Sequence, residues 1–361
     1  MKKYITYKSD VLPKDTDYND NFFKEYMKVT NTLSNYDILS QIQCVDDSDT
    51  LLFESLNPMD SFENIGDVQN KKVIFFIPDV TDWDYTNERF QKLLKEDIKI
   101  IFNETILNSE KQNFNFEFIC LNRFATNINV QVHGYKKSLL DIFWNSKNYY
   151  RQFHFNCFNN TVKEHRIDIL RFMCDTNLTE KGIVSWFAGG DADLNLLKDI
   201  KFSEKEKSFI GKSHDLKVVG QQDYLNFIPY FNSYFSVITE SNWYIHDGKP
   251  LQKIHITEKT FKAFVTMSPF LIIGCQYHLK KLKEWGFKTF EGYMDESYDE
   301  LESYEQRKKV IYSEILRLNR MDKKELDDWF WSMKDILLHN YNHFFKFVDN
   351  EMIKLENIIY E

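Results

Sequence analysis

The stretch KKVIFFIPDVTDWDYTNERFQKLLKEDIKIIFNE, residues 71–104, decides the fold class. Two apolar runs, KKVIFFIP and IKIIFNE, flank a segment in which Phe90, Leu93 and Leu94 recur at helical spacing. Continuous apolar runs of this kind are typical of strands that are buried on both faces of a parallel sheet. Strand, helix and strand with short connections predict a βαβ unit, and FNFEFICLN at residues 114–122 adds a third strand.

A second αβ series begins near residue 150. The runs RQFHFNC, GIVSWF and YFSVITE predict strands, and TVKEHRIDILRFMCDT and QYHLKKLKEWG predict helices. Before the first series, residues 1–70 are acidic and irregular, with one predicted helix near 21–36. Because two αβ series meet near residues 145–150, the sequence predicts an α/β protein with one domain at 1–150 and a second at 151–320.

The end of the chain is predicted to be helical. Asp322 with Glu325 three residues later predicts a capping box, and Met321 with Leu326 forms a hydrophobic staple. An apolar face then continues to Leu355 without a proline. This face is too long for one small domain to cover, so we expect residues 321–361 to pack back across the domain join.

Composition limits the classes of function. The 361 residues carry a net charge of −9, which excludes a uniformly basic surface for non-specific nucleic-acid binding. Five scattered cysteines without a CxxC pair indicate reduced thiols in a cytosol-like compartment. The amino-terminal residues lack the apolar core of a signal peptide, and no apolar run approaches the length of a membrane span. We therefore expect a cytoplasmic protein.

The segment IHITEKTFKAFVTMSPFLIIG, residues 254–274, carries the strongest candidate site. Its apolar spacing predicts a helix that begins near Thr257, whose hydroxyl is a natural N-cap. Glu258 suits the helix dipole, whereas Lys259 is a cation where the dipole disfavours one. A diphosphate between the first-turn N–H groups and Lys259 would explain this choice, with Glu258 accepting hydrogen bonds from ribose. The alternative is an ordinary solvated first turn.

The strand before this helix ends in polar residues. YFSVITESN places Glu240, Ser241 and Asn242 at the carboxyl end of a predicted parallel strand. Ligands of open α/β sheets bind in the crevice outside these strand ends. We therefore expect residues 240–242 and 257–259 to converge on one crevice.

These residues resemble a known family. The order YFSVITESN, HITEKTFKAF and SPFLIIG is similar to the donor-binding segment of the alpha-1,3-fucosyltransferase family and its viral and bacterial relatives. Downstream, GFKTF and DESYD resemble a stretch of glycosyltransferase-like proteins from viruses and bacteria, so that the resemblance covers about residues 151–307. The order Glu-Ser-Asn departs from the commoner Glu-Asn-Ser of that family.

The resemblance implies a glycosyltransferase of the GT-B type. Such an enzyme has two Rossmann-like domains, holds a nucleotide-sugar in the carboxyl-terminal one and needs no metal. Residues 240–242 and 257–259 would grip the donor, and no other cofactor is expected. The acceptor would be a glycan or, in a virus-like chain in the host cytoplasm, a hydroxymethylated DNA base. A non-catalytic binding or assembly protein with the same fold is the rival hypothesis.

Several other residues are weaker candidates. Arg166 opens a predicted helix at a strand's carboxyl end and is a candidate phosphate ligand. Inverting transfer needs a general base on the amino-terminal domain, for which Asp79, Glu104 and His133 are open alternatives. Three motifs are more simply explained as chance or surface features: DWD at 82–84, DAD at 191–193, and His339 with His343. Tyr298 and Asp299 fit either a loop at the crevice or a helix start.

Overall fold

The computed structural model describes residues 3–9, 42–44, 50–54, 72–77, 98–102, 105–106, 117–120, 123–186, 197–198, 200–211, 214, 216–219, 222–241 and 253–360. The chain forms two compact units, Met1–Val130 together with Lys346–Glu361, and Gln131–Phe345. The proposed division at residues 150 and 320 stays a prediction. Asp79, Glu104, Asn242 and the two Asp-rich motifs lie outside the described residues.

The first unit contains a parallel sheet. Its strands are β1 (Lys3–Ser9), β2 (Ile42–Cys44), β3 (Thr50–Glu54), β4 (Lys72–Ile77), β5 (Ile98–Phe102) and β7 (Glu117–Cys120), with a short β6 (Thr105–Ile106) before β7. The six strands other than β6 form this sheet in the order β2-β1-β3-β4-β5-β7, and each neighbouring pair is parallel. The predicted strands at 71–78, 98–104 and 114–122 are therefore confirmed as β4, β5 and β7. The helix predicted between β4 and β5 lies outside the described residues.

The second unit is built on a four-stranded parallel sheet. It contains β8 (Phe153–Asn159), β9 (Gly182–Trp186), β12 (Ser233–Thr239) and β14 (Phe270–Ile273), in the order β14-β12-β8-β9. All seven residues of β12 are buried, as expected for a strand covered on both faces. Three further strands are described: β10 (Leu216–Val219), β11 (Gln222–Leu225), which pairs antiparallel with β10, and β13 (Lys253–Ile254). The strands predicted from the second series are confirmed.

Ten α-helices are described. They are α1 (Arg123–Val132), α2 (Lys136–Asn145), α3 (Glu164–Asp175), α4 (Glu204–Lys207), α5 (Ile228–Phe231), α6 (Glu258–Val265), α7 (His278–Glu284), α8 (Tyr304–Arg320), α9 (Lys323–Ser332) and α10 (Lys334–Tyr360). Four 3-10 turns occupy His133–Tyr135, Ser146–Asn148, Leu178–Glu180 and Ser297–Asp299. Each of these described helices is too short or too polar to cross a membrane.

The helical end of the chain is confirmed. At the start of α9, Asp322 Oδ1 accepts from the Glu325 N–H at 2.8 Å, and Glu325 Oε2 accepts from the Asp322 N–H at 2.9 Å. These two bonds are the predicted capping box. In α3 the predicted apolar face is buried as well, with Ile167, Leu170 and Met173 all facing the core.

The core of the second unit fixes the position of α6. Phe264 on α6 stacks on Phe287 with ring centroids 4.1 Å apart, and Phe261 contacts Phe287 and Phe344. Every residue of α6 from Thr260 to Val265 is buried. Phe264 also contacts Phe270 of β14 edge to face, with ring centroids 5.5 Å apart, so aromatic packing holds the helix against the sheet.

Candidate functional site

The candidate site lies at the carboxyl edge of the second sheet. Numbered in chain order, the strands β8, β9, β12 and β14 are arranged 2-1-3-4, so the direction of the connections reverses between β8 and β12. Open α/β sheets bind ligands at such a reversal, outside the carboxyl ends of the strands. Asn160 follows β8 and Glu240 follows β12 at this point.

Glu240 fastens the beginning of α6 to the end of β12. Its side chain is fully buried. Oε1 accepts hydrogen bonds from the Thr257 N–H at 3.1 Å and from Thr260 Oγ1 at 2.7 Å, and Oε2 accepts from Thr257 Oγ1 at 2.5 Å. The predicted convergence of Glu240 with Thr257 is therefore found, but the carboxyl group bonds to the helix.

The first turn of α6 carries the predicted cap. Thr257 is the N-cap, and its hydroxyl accepts from the Lys259 N–H at 3.4 Å. Lys259 Nζ donates to the same hydroxyl at 3.2 Å and to Glu258 Oε1 at 3.1 Å. The Lys259 side chain is 16% exposed and that of Glu258 is 27% exposed. Both are thus close to solvent, and each partly compensates the charge of the other.

The charges of this turn are coupled. Burial acts to raise the pKa of Glu258, but the nearby ammonium groups of Lys259 and Lys262 lower it to about 2. Glu258 is therefore ionised at neutral pH. The conflict between Lys259 and the helix dipole is reduced by this adjacent carboxylate, which lies where the dipole favours a negative charge.

Helix α3 supports the strand ends from the other side. Arg166 is 1% exposed, and it donates to the carbonyl and hydroxyl groups of Thr161 at 3.0 and 2.5 Å and to the Thr239 carbonyl at 3.3 Å. His165 Nε2 lies 2.9 Å from the Glu240 carbonyl oxygen, and burial lowers the pKa of His165 to about 3. A neutral His165 donates to that carbonyl. Arg166 thus orders the strand ends, and its contact with a phosphate stays a prediction.

A second buried histidine lies behind the site. His278 Nε2 is 3.4 Å from Thr260 Oγ1, and burial lowers the pKa of His278 to about 4. Gly274, directly after β14, leaves room for the His278 ring. A Cβ there would lie 2.9 Å from Ile272 Cγ2 and 3.1 Å from His278 Nδ1, which is too close for an ordinary side chain.

A pocket opens beside α6 along β8 and β12. It is a partly open cleft, and its empty space of about 380 Å³ includes open solvent. Its polar walls include Glu258, Lys259 and Lys262 from α6, and Asn156 and Asn160 from β8 and its end. Among the described residues, these walls carry two ammonium groups and one carboxylate.

Sequence reasoning missed Lys262 and Asn156. Lys262 follows Lys259 by three residues and therefore lies on the same side of the helix, which is a signal that helical spacing could have supplied. Asn156 is a polar residue within the buried strand FHFNCFN, and such an interruption is informative because buried amides need partners.

The remaining predicted site residues are placed as follows. Ser241 is half-buried directly after Glu240. His133 is exposed in the 3-10 turn His133–Tyr135, and the pocket walls do not include it. The role of His133 as a general base stays a prediction, as do those of Asp79 and Glu104.

Two weaker motifs have structural roles. His343 Nε2 lies 2.7 Å from the Trp285 carbonyl and His339 Nε2 lies 3.0 Å from that of Gly286, so these histidines cap the carboxyl end of α7. At its other end, Asp299 accepts from the N–H groups of Leu279 and Lys280 at 2.9 and 3.0 Å. Within the described ranges, no group of three His, Cys, Asp or Glu residues could hold a metal ion.

No family model, curated protein or solved structure matches this chain. The resemblance to glycosyltransferases therefore depends on the residues named above.

Proposed function

We propose that this chain is a glycosyltransferase that moves a sugar from a nucleotide-sugar to a hydroxyl group of an acceptor. One observation carries the proposal. Lys259 lies on the capped first turn of α6, at the carboxyl edge of a parallel sheet where the strand order reverses, and it lines a pocket with Lys262. First-turn N–H groups together with ammonium groups favour a phosphate-bearing ligand at that place.

The strand orders support a two-domain architecture of the GT-B type. The first sheet reads 2-1-3-4-5-6 in chain order when the short β6 is left out, and the second reads 2-1-3-4. Both share the 2-1-3-4 arrangement of flavodoxin-like doubly wound sheets, which differs from the 3-2-1-4-5-6 order of the Rossmann fold, but both types bind nucleotides where the strand order reverses. We propose two doubly wound, Rossmann-like domains, with the donor bound by the carboxyl-terminal one.

The residues of α6 would divide the work of binding. The donor diphosphate lies against the first-turn N–H groups and Lys259, and Glu258 accepts hydrogen bonds from the ribose hydroxyls. As the bond to the sugar breaks, Lys259 stabilises the negative charge that develops on the leaving diphosphate. Glu240 acts as a positioning residue, because its carboxyl group holds Thr257 and Thr260.

The proposed transfer is inverting and metal-independent, as the resemblance implies. A general base removes the proton of the acceptor hydroxyl while the oxygen attacks the sugar. Asp79, Glu104 and His133 are the candidates for that base. The proposed acceptor is a glycan or a hydroxymethylated DNA base, and the proposed location of the reaction is the cytoplasm.

Calorimetric titration tests the proposed donor site. A thermal-shift screen with GDP-, UDP-, CMP- and dTDP-sugars first identifies the nucleotide, since a ligand of the folded state raises the melting temperature. Lys259→Ala should then lower the affinity for the nucleoside diphosphate by about 10- to 150-fold, equivalent to about 1.5–3 kcal/mol. The affinity for the nucleoside should stay unchanged. Glu258→Ala should lower the affinity for both ligands, because the proposed partner of Glu258 is the ribose that both contain.

The matched control is Lys324→Ala, since the Lys324 side chain is 75% exposed on α9. Equal diphosphate affinity in Lys259→Ala and Lys324→Ala would contradict the proposal. An enzyme should release nucleoside diphosphate from the donor only when an acceptor is present, and measuring this release distinguishes it from a non-catalytic binding protein. Donor binding without any such release would indicate a non-catalytic binding protein.

A further inference from the structure

The inner end of the pocket contains an amide group without a hydrogen-bond partner. Asn156 on β8 is 2% exposed and lines the pocket, opposite Ser236 of β12 in the strand register. Its Nδ2 atom makes no hydrogen bond within the described part of the chain. By contrast, the neighbouring Ser236 hydroxyl is paired with Ser268 Oγ at 2.9 Å. A buried amide N–H group without a partner is costly, so its presence at a pocket wall points to a ligand atom.

The surroundings of Asn156 suit a flat ring. Phe158 and Tyr230 line the same pocket, and their rings meet edge to face with centroids 5.5 Å apart at 72°. Aromatic walls of this kind favour the stacking of a planar ligand. Lys262, which is 4% exposed, adds an ammonium group to the same lining. The inner end therefore combines aromatic walls with hydrogen-bond donors.

We infer that the inner end of the pocket holds the nucleobase of the donor, and that Asn156 Nδ2 donates a hydrogen bond to a carbonyl oxygen of that base. The inference rests on the proposed function, because the diphosphate lies at Lys259. Asn156 lies four residues before Asn160 along β8, so the pocket extends about 13 Å from the edge of the sheet. Asn156 is thereby a residue that determines specificity for the base.

Two pairs of nucleotides vary the carbonyl group. UDP has a carbonyl group where CDP has an amino group, and the adjacent ring nitrogen is a hydrogen-bond donor in UDP and an acceptor in CDP. IDP and ADP differ in the same way. The wild-type protein should bind the carbonyl member of at least one pair about tenfold more tightly, which corresponds to the loss of one well-formed hydrogen bond. Calorimetric titration with the four diphosphates measures this ratio directly and needs no variant.

Substitutions then assign the preference to Asn156. Asn156→Asp replaces the donor by an acceptor of the same shape, and it should abolish or reverse the preference for the carbonyl member. Asn160→Asp adds the same charge to the outer wall and should retain the preference, which separates hydrogen bonding from charge. If Asn156→Asp does not fold, Asn156→Ser removes the amide with a smaller change and should bring the ratio close to one.

The outcomes separate the two proposals. Diphosphate binding that depends on Lys259, with no carbonyl preference in either pair, would overturn the role of Asn156 and leave the donor site intact. The same holds for a preference that survives in both Asn156 variants, since the amide would then bind only structural water. A wild-type protein that binds none of the four diphosphates, and neither GDP nor dTDP, would overturn both proposals.

Discussion

Replacing Glu240 by Gln should lower the stability of the protein more than it lowers the affinity for a nucleotide. The Glu240 carboxyl group accepts three hydrogen bonds, and all of them come from Thr257 and Thr260 at the start of α6. Because the side chain is fully buried, water does not replace a lost partner. Glu240→Gln retains one acceptor oxygen and puts an NH₂ group in place of the other.

The magnitude follows from the contact at Thr257 Oγ1. That hydroxyl donates to Glu240 Oε2 at 2.5 Å and already accepts from the Lys259 N–H and Nζ groups at 3.4 and 3.2 Å. In Glu240→Gln it faces a third donor, so one charge-assisted hydrogen bond is lost. We expect the free energy of unfolding to fall by about 1.5–3 kcal/mol. Thr260→Val removes one of the hydroxyl groups that donate to the Glu240 carboxyl group, and it should lower the free energy of unfolding by about 1 kcal/mol.

Urea unfolding and calorimetric titration measure the two effects in parallel. Nucleoside diphosphate affinity should fall by less than about tenfold in Glu240→Gln, which is under about 1.4 kcal/mol. Ser241→Ala is the neighbouring control and should change stability by less than about 0.5 kcal/mol. A variant of unchanged stability that no longer binds nucleotide would refute the reasoning, because Glu240 would then contact the ligand and not the helix.

Two further predictions concern groups around α7. The unfolded pKa of His278 is about 6.5 and burial lowers the folded value to about 4, so the unfolded state binds more protons between these values and the free energy of unfolding should fall as the pH falls from 6.5 to 4. Urea unfolding at pH 7, 6 and 5 should show that the free energy of unfolding falls less in His278→Gln than in the wild type. The control His133→Gln, at an exposed position, should follow the wild type. Asp299→Ala removes both acceptors at the start of α7 and should lower the free energy of unfolding by about 1–2 kcal/mol or more, and an unchanged urea midpoint would contradict that role.

Local signals in the sequence predicted the elements that depend on local physics. The Thr257 cap and the Asp322–Glu325 capping box involve residues within three positions of each other, and both are found. The buried strand β12 was recognisable because apolar residues occur on both of its faces. The strands β1 and β3 were missed, since KYITYKS lacks a continuous apolar run and the apolar run of TLLFE is only three residues long.

Contacts between distant residues were beyond the reach of spacing arguments. Asp299 caps α7 from about twenty positions downstream, and His343 caps the other end from a different helix. Arg166 opens α3 as predicted, yet the sequence did not indicate that its guanidinium would be buried against the carbonyl of Thr239. These side chains satisfy backbone groups of other elements, and only the packed fold determines which groups those are.

The position of Lys259 shows how a local conflict can mark a candidate site. A cation on the first turn opposes the helix dipole, and the structure compensates it with Glu258 and the Thr257 hydroxyl. A neutral residue at position 259 would avoid the unfavourable interaction with the helix dipole, and Glu258 alone would suit that dipole. What the lysine adds is a second positive group beside Lys262 on the wall of the pocket. An anion bound there gains from both ammonium groups and from the helix N-terminus, whereas in its absence Glu258 keeps the turn stable. The pairing of Lys259 with Glu258 is thus what allows an unliganded helix start to hold a charge suited to a phosphate.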